Sequence, residues 1–192
     1  MTVCAVVLAA GAGRRFEGPT HKLLAPFRGR PVVAWAVEHA VAAGLDETVV
    51  VTGCADLADV LAPFAAHITI VANPGWEGGV ATSLRVAVDH ATSVGHRALV
   101  VGQGDQPMVD PEAWRLVAHP EMTPVPPIVI ATYDGRRASP RRLDASIWSM
   151  LPSDGEWGAD GLARQNPELV GEVACPGEPT DIDTTGDLRT WS

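Results

Sequence analysis

The sequence predicts an α/β protein of the Rossmann-like, three-layer α/β/α kind with a mostly parallel central sheet. Three observations carry that expectation. Val3–Ala9 is a β-branched apolar run closed by Gly11 and Gly13, the pattern of a strand buried on both faces. Similar short apolar runs recur down the chain. Between them lie segments whose apolar residues repeat every three or four positions, as crossover helices of a parallel sheet require.

Residues 31–43 place Val33, Trp35 or Ala36, Val37, Ala40 and Val41 on a helical face, and Gly44 supplies the stop. A strand is expected at 48–52, a helix at 57–66, a strand at 68–72 and a helix at 82–92, with Thr82 or Ser83 as its cap. A strand follows at 98–101. Asp110 before Pro111 reads as an N-cap with proline at the first helical position, so 111–119 is expected to be helical and 128–132 to be the next strand. Beyond Tyr133 the pattern turns irregular around a basic cluster of Arg136, Arg137, Arg141 and Arg142, with helices expected near 146–151 and 158–165. At 192 residues the chain reads as one domain, 1–192, able to bury a sizeable core without disulfides or metals.

With 14 Lys and Arg against 23 Asp and Glu the formal charge is −9, and no basic stripe follows a helix face. Neither nucleic acid nor an anionic membrane is an expected partner. No apolar run nears the roughly 18 residues of a membrane span. The opening lacks a charged segment before its apolar stretch, so no export is expected. Cys4, Cys54 and Cys175 are too few and scattered for a disulfide framework, which fits a cytoplasmic location. The six histidines form neither an HxH nor an HExxH pattern, so no motif suggests a histidine-bound metal. Lys22 is the single lysine, so 13 of the 14 basic residues are arginine. Either codon bias explains this or a compact ammonium is needed at that position.

In open α/β sheets the ligand lies beyond the carboxyl ends of the strands, which directs attention to the loops after Ala9, Ala72 and Val101. The first, from Leu8 and Ala9 through Ala10, Gly11, Ala12, Gly13, Arg14 and Arg15 to Lys22, can turn backbone amides and cations on phosphate. It is neither a dinucleotide fingerprint, since Phe16 stands where glycine is needed, nor a Walker loop; the plain alternative is a turn with solvated arginines. The second, Asn73-Pro74-Gly75-Trp76-Glu77-Gly78-Gly79, allows close approach of a ligand, or else Trp76 simply plugs the core. In the third, Gly102-Gln103-Gly104-Asp105-Gln106-Pro107, Asp105 is placed to ligate a hard cation, unless it only bonds its own turn. Near the end, Asp181 and Asp183 face one side of an extended stretch, while Thr184 or Thr185 with Asp187 has the look of a helix start. A basic glycine loop with separated acid sites matches what nucleotidyl transfer demands.

LAAGAGRRF with Lys22, NPGWEGGVATSL, GDQP and DIDTTGD, in this order, resemble the molybdenum cofactor cytidylyltransferase branch of the MobA-like nucleotidyltransferases. The resemblance implies a Mg²⁺-dependent enzyme that transfers CMP from CTP, or a nucleotide from GTP in sister families, to the phosphate of a molybdopterin-type cofactor and releases pyrophosphate. It implies that Arg15, Lys22 and Asp105 are catalytic. Leu8, Ala9, Ala10, Gly11, Gly13, Ser83 and Gly104, with Lys22 and Asp105, would bind the nucleotide. Asp105 and Asp183 would hold magnesium, and Asn73, Trp76 and Ser139 would meet the pterin acceptor. The Ala9-Ala10 pair is tied to a preference for cytosine, and transient contact with a molybdenum enzyme is implied. Two places depart from the family pattern: Ala138-Ser139-Pro140, and Gly155-Glu156-Trp157-Gly158-Ala159-Asp160, where an acid replaces a base. The alternatives are a nucleotidyltransferase acting on a sugar phosphate or another phosphorylated small molecule, and a module that delivers cofactor to a molybdenum enzyme.

Overall fold

The computed structural model describes residues 2–155 and 158–192. Its elements are β1 (Val3–Ala9), β2 (Pro26–Phe27), β3 (Arg30–Pro31), α1 (Val32–Ala42), β4 (Glu47–Thr52), α2 (Ala58–Leu61), β5 (Thr69–Ala72), α3 (Val80–Val94) and β6 (Ala98–Gln103). They continue with α4 (Pro111–Ala118), β7 (Ile128–Tyr133), β8 (Arg136–Asp144), α5 (Gly158–Gln165), β9 (Val170–Ala174) and α6 (Thr185–Trp191). Seven strands form one sheet in the order β5-β4-β1-β6-β8-β7-β9. Its strand pairs are parallel except those made by β8, which runs antiparallel to both β6 and β7. The expected α/β/α layering is observed: α1 and α4 pack on one face of the sheet, α3 and α5 on the other.

Because β1 is central, all seven of its residues are buried and apolar. Alternate residues feed the two cores: Ala5, Val7 and Ala9 meet Val37 and Trp114, while Val6 and Leu8 join Leu84 and Trp148. Trp114 lies so close to β6 that a Cβ at Gly102 would stand 2.5 Å from its ring, so this strand position takes no side chain.

Three expectations are corrected. The helix at 57–66 is one turn of α2 followed by a 3-10 turn, Ala62–Phe64, because Pro63 has no N–H to continue the ladder. The cap of α3 is Gly79 at φ 91°, not Thr82 or Ser83, which both lie inside the helix. The irregular basic region contains β8. Asp134 at φ 49° and Gly135 at φ 77° make the two-residue left-handed turn of a tight hairpin, so β8 folds back on β7. Pro140 is accommodated inside the sheet because the β7–β8 register jumps from Ile130↔Arg141 to Ala131↔Ala138, leaving Ser139 and Pro140 in a bulge. The segment near 146–151 is a 3-10 run, Ala145–Met150, capped by Asp144. Asp110 caps α4 as expected, its carboxylate accepting from Glu112 N–H at 2.7 Å. No helix among the described residues is long and apolar enough to cross a membrane.

Candidate active site

The carboxyl ends of β1 and β6 open into a cleft of about 680 Å³. One wall is the glycine loop after β1. Gly13 sits at φ 61°, and a Cβ there would stand 2.9 Å from Cγ of Lys22, so glycine is needed both for the turn and for the lysine's passage. His21 holds the loop closed: Leu23 N–H donates to its Nδ1 at 3.3 Å, and Nε2–H donates to the Gly11 carbonyl at 3.0 Å. Burial pulls the imidazole below its ordinary value, consistent with this neutral, structural role.

At the cleft floor the structure joins residues far apart in sequence. Lys22 Nζ donates to Asp105 Oδ2 at 2.5 Å and to Asp183 Oδ1 at 2.9 Å, and Arg15 pairs with the other oxygen of Asp183 at 2.8 Å. Burial alone would lower the Lys22 ammonium, but the two carboxylates outweigh it and hold the group above the ordinary lysine range. Asp181 also faces the cleft and accepts from Gln106 Nε2 at 2.8 Å. Burial, with Asp105 beside it, raises its carboxyl to about 6. Asp105 Oδ1 is buried and has no hydrogen-bond partner among the described residues. An unpaired carboxylate oxygen among three acids is the donor set that a hard divalent cation takes, so these residues fit a metal of the magnesium type.

Arg15, Lys22, Asp105 and Asp183 therefore meet at one point, and Leu8, Ala9, Ala10, Gly11, Ser83, Trp76 and Ser139 also line the cleft. Two expected residues do not. Asn73 is buried and structural: its amide donates to the Thr82 and Ser83 hydroxyls, each at 2.9 Å, and its carbonyl oxygen accepts from Gly75 N–H. Gly104 lies behind the lining, its N–H donating to Leu8 O at 2.9 Å; a Cβ there would stand 3.2 Å from that oxygen. Trp76 fills both roles weighed for it, packing against the core while lining the cleft. The methyl of Ala10 packs toward Gly53, where a Cβ would stand 2.8 Å away, so Ala10 abuts the loop after β4. Thr184 and Asp187 form a reciprocal capping box that starts α6 directly after Asp183.

Of the far wall, only Ser139 was an expected site residue. Arg137, Arg141 and Asp160 line it with Ser139. Arg141 pairs with Asp160 at 3.0 Å, and burial lowers its guanidinium below the ordinary value. The signal that could have found this wall is Asp134-Gly135, the hairpin turn that aims β8 back along the sheet. Asp160 is the acid of the second family departure; Glu156 and Trp157 of that stretch lie outside the described residues.

A family model described as the MobA-like NTP transferase domain matches residues 5–168. A nicotine blue oxidoreductase of Paenarthrobacter nicotinovorans is 32% identical, the match covering 97% of this chain and 94% of that one. Among solved structures, a nucleotidyl transferase from Methanothermobacter superposes with a TM-score of 0.83 at 25% identity, over 99% of this chain and 96% of that one. A Mycobacterium tuberculosis H37Rv protein solved in complex with manganese has a TM-score of 0.76 at 26% identity, over 100% of this chain and 98% of that one. By the family model and the whole-length structural likeness, the protein is a nucleotidyltransferase, and the chain belongs to the MobA-like NTP transferase domain family.

Proposed function

We propose that the protein transfers CMP from CTP to the phosphate of a molybdopterin-type cofactor, with magnesium, and releases pyrophosphate. The observation that carries this reading is the junction of Lys22, Arg15, Asp105 and Asp183 beneath the glycine loop. The triphosphate lies along the amides of Gly11 and Gly13, where Lys22 and Arg15 balance its charge. Asp105 and Asp183 hold the metal, which supplies further charge neutralisation on the phosphates when bound. The acceptor enters from the wall of Ser139, Arg141 and Trp76, and its phosphate oxygen attacks the α-phosphorus in line with the departing pyrophosphate. That oxygen is already an anion, so the residues orient and neutralise and need not remove a proton; rate comes from positioning and electrostatics. Retention of the cationic loop together with the acids favours catalysis over a purely cofactor-delivering role.

The test is pyrophosphate release by the purified protein with CTP or GTP, offered molybdopterin-type or sugar phosphate acceptors. Release with CTP and the pterin acceptor is expected. Release only with a sugar phosphate would move the acceptor to the alternative class, and release only with GTP would overturn the base. The whole-length relative supports a second reading, oxidoreduction of nicotine blue or a related compound in the same cleft. Redox turnover of nicotine blue by the purified protein, with no pyrophosphate release from any pair, would favour it.

A further inference from the structure

At the amino ends of the strands, opposite the cleft, the fold gathers a thiol, a carboxylate and two imidazoles. Cys4 in β1 is the register partner of Glu47 in β4. His90 lies near the end of α3, and His96 in the turn between α3 and β6. Ligand atoms of Cys4, Glu47 and His96 all lie within 4.8 Å of one another. The Glu47 carboxylate contacts His96 Nε2 at 2.8 Å and His90 Nε2 at 3.0 Å, and accepts from the Thr69 hydroxyl at 2.7 Å. Cys4 is fully buried and His96 is 6% exposed. Nδ1 of His96 is buried without a partner among the described residues, and the Cys4 thiol donates to the carbonyl of its neighbour Ala5 at 3.3 Å.

We propose that Cys4, Glu47 and His96 form a structural site for a zinc-type divalent cation, separate from the catalytic cleft. One sulfur, one nitrogen and one oxygen donor suit a borderline-soft ion and not magnesium, which seeks oxygen alone. Bond lengths of about 2.0–2.3 Å separate tetrahedral ligands by roughly 3.3–3.7 Å, so the His96–Glu47 contact must open by about half an ångström and any separation near the 4.8 Å limit must close by about one. A divalent ion with one thiolate and one carboxylate sums to zero charge, which a buried site tolerates. Thr69 and His90 hold and orient the ligating carboxylate from outside. Access is past Glu47 and His90, whose side chains are 20% and 18% exposed. On binding, the S–H bond of Cys4 breaks, a metal–sulfur bond forms and the proton passes to solvent; nothing is oxidised. The ion would tie α3, through the turn after it, to β1 and β4.

Metal-free full-length protein is titrated with Co²⁺ and then Zn²⁺, reading near-ultraviolet absorption and thermal melting. The expected result is a thiolate-to-cobalt band saturating at one equivalent, displaced by Zn²⁺, with a melting point raised on the order of 5 °C by zinc. His96→Asn should weaken Co²⁺ binding at least ~10-fold. Cys4→Ser should abolish the band. Cys54→Ser, Cys175→Ser and Asp105→Asn should keep it, and the two cysteine controls assign the sulfur even if Cys4→Ser fails to fold. A wild-type protein with no thiolate band, or a band lost with Cys54→Ser or Cys175→Ser, overturns the proposal.

Discussion

The two ends of the central sheet handle charge in opposite ways. At the carboxyl end Asp105, Asp181 and Asp183 crowd around Lys22 and Arg15, with an oxygen of Asp105 left unpaired. At the amino end the Glu47 carboxylate is engaged by a hydroxyl and two imidazoles, while Asp144 supports the buried Arg142. The first arrangement is open, over-supplied with acid and placed where loops meet. The second is more closed: the Glu47 carboxylate is fully engaged, and the groups left unpartnered among the described residues are nitrogens, Nδ1 of His96 and Nε and Nη1 of Arg142. The difference teaches where this fold gathers surplus carboxylate: in the cleft, where several acids share one lysine, while at the opposite end each acid has its own partners.

Substitutions should therefore separate the two ends, the cleft losing activity and the opposite end losing stability. The largest effect is expected for Asp105→Asn, which should lower turnover by two to three orders of magnitude, about 3–4 kcal/mol, with melting shifted by no more than roughly 2 °C. Pyrophosphate release and thermal melting on the same sample check both halves; near-normal turnover would remove Asp105 from the chemistry. Asp144→Ala should do the reverse. It leaves the guanidinium of Arg142, whose side chain is 2% exposed, without the carboxylate that meets it at 3.2 Å, and should cost about 3 kcal/mol in urea unfolding while kcat holds.

The same residue sharpens the comparison through pH. Burial would raise the Asp144 carboxyl, but the N–H and hydroxyl of Ser146 and the Arg142 guanidinium outweigh it and hold the group below the usual carboxylate range. A carboxylate depressed in the folded state contributes stability above its unfolded value near pH 4, and that contribution is lost as pH falls through the lower folded value. Wild type and Asp144→Asn should thus differ most at neutral pH and differ less as pH falls below about 4; a gap that stays constant would assign the effect to shape and not charge.

Lys22→Arg keeps the charge but replaces a point cation with a longer planar fork where Gly13 already crowds the stem, and kcat/KM should fall at least ~10-fold. Steady-state kinetics decide it, and full activity would reduce the single lysine to codon bias. The smallest effect is expected at the junction of the two roles. Thr184→Ala removes the α6 cap, an exposed contact at 3.1 Å, and should cost about 1 kcal/mol of stability with a modest rise in KM for the nucleotide, because Asp183 is the residue before it.

Much of the chain up to Tyr133 was legible because its signals are local. β1, α1, β4, β5, α3, β6, α4 and β7 are apolar runs and helical repeats whose period survives any tertiary context, and Asp110-Pro111 announced its helix by chemistry alone. β8 and β9 were not, for identifiable reasons. Four arginines and Pro140 conceal a strand that is interior to the sheet only because a bulge takes up Ser139 and Pro140. β9 is an edge strand of five residues, half of it in solvent, so it carries little apolar pattern.

The candidate site divides along the same line. The sequence by itself determined the residue types: a glycine turn after a buried strand, cations behind it, and acids at the ends of a strand and of an extended stretch, because backbone torsions and apolar periodicity are written residue by residue. Only the tertiary structure decided which of them meet. Lys22 reaches acids 83 and 161 positions away, Cys4 finds Glu47 and His96 across several intervening elements, and Asn73 turns inward to hold its own loop. Those pairings depend on strand order and register, which are set by how whole layers bury their apolar faces, and no short stretch of sequence encodes that.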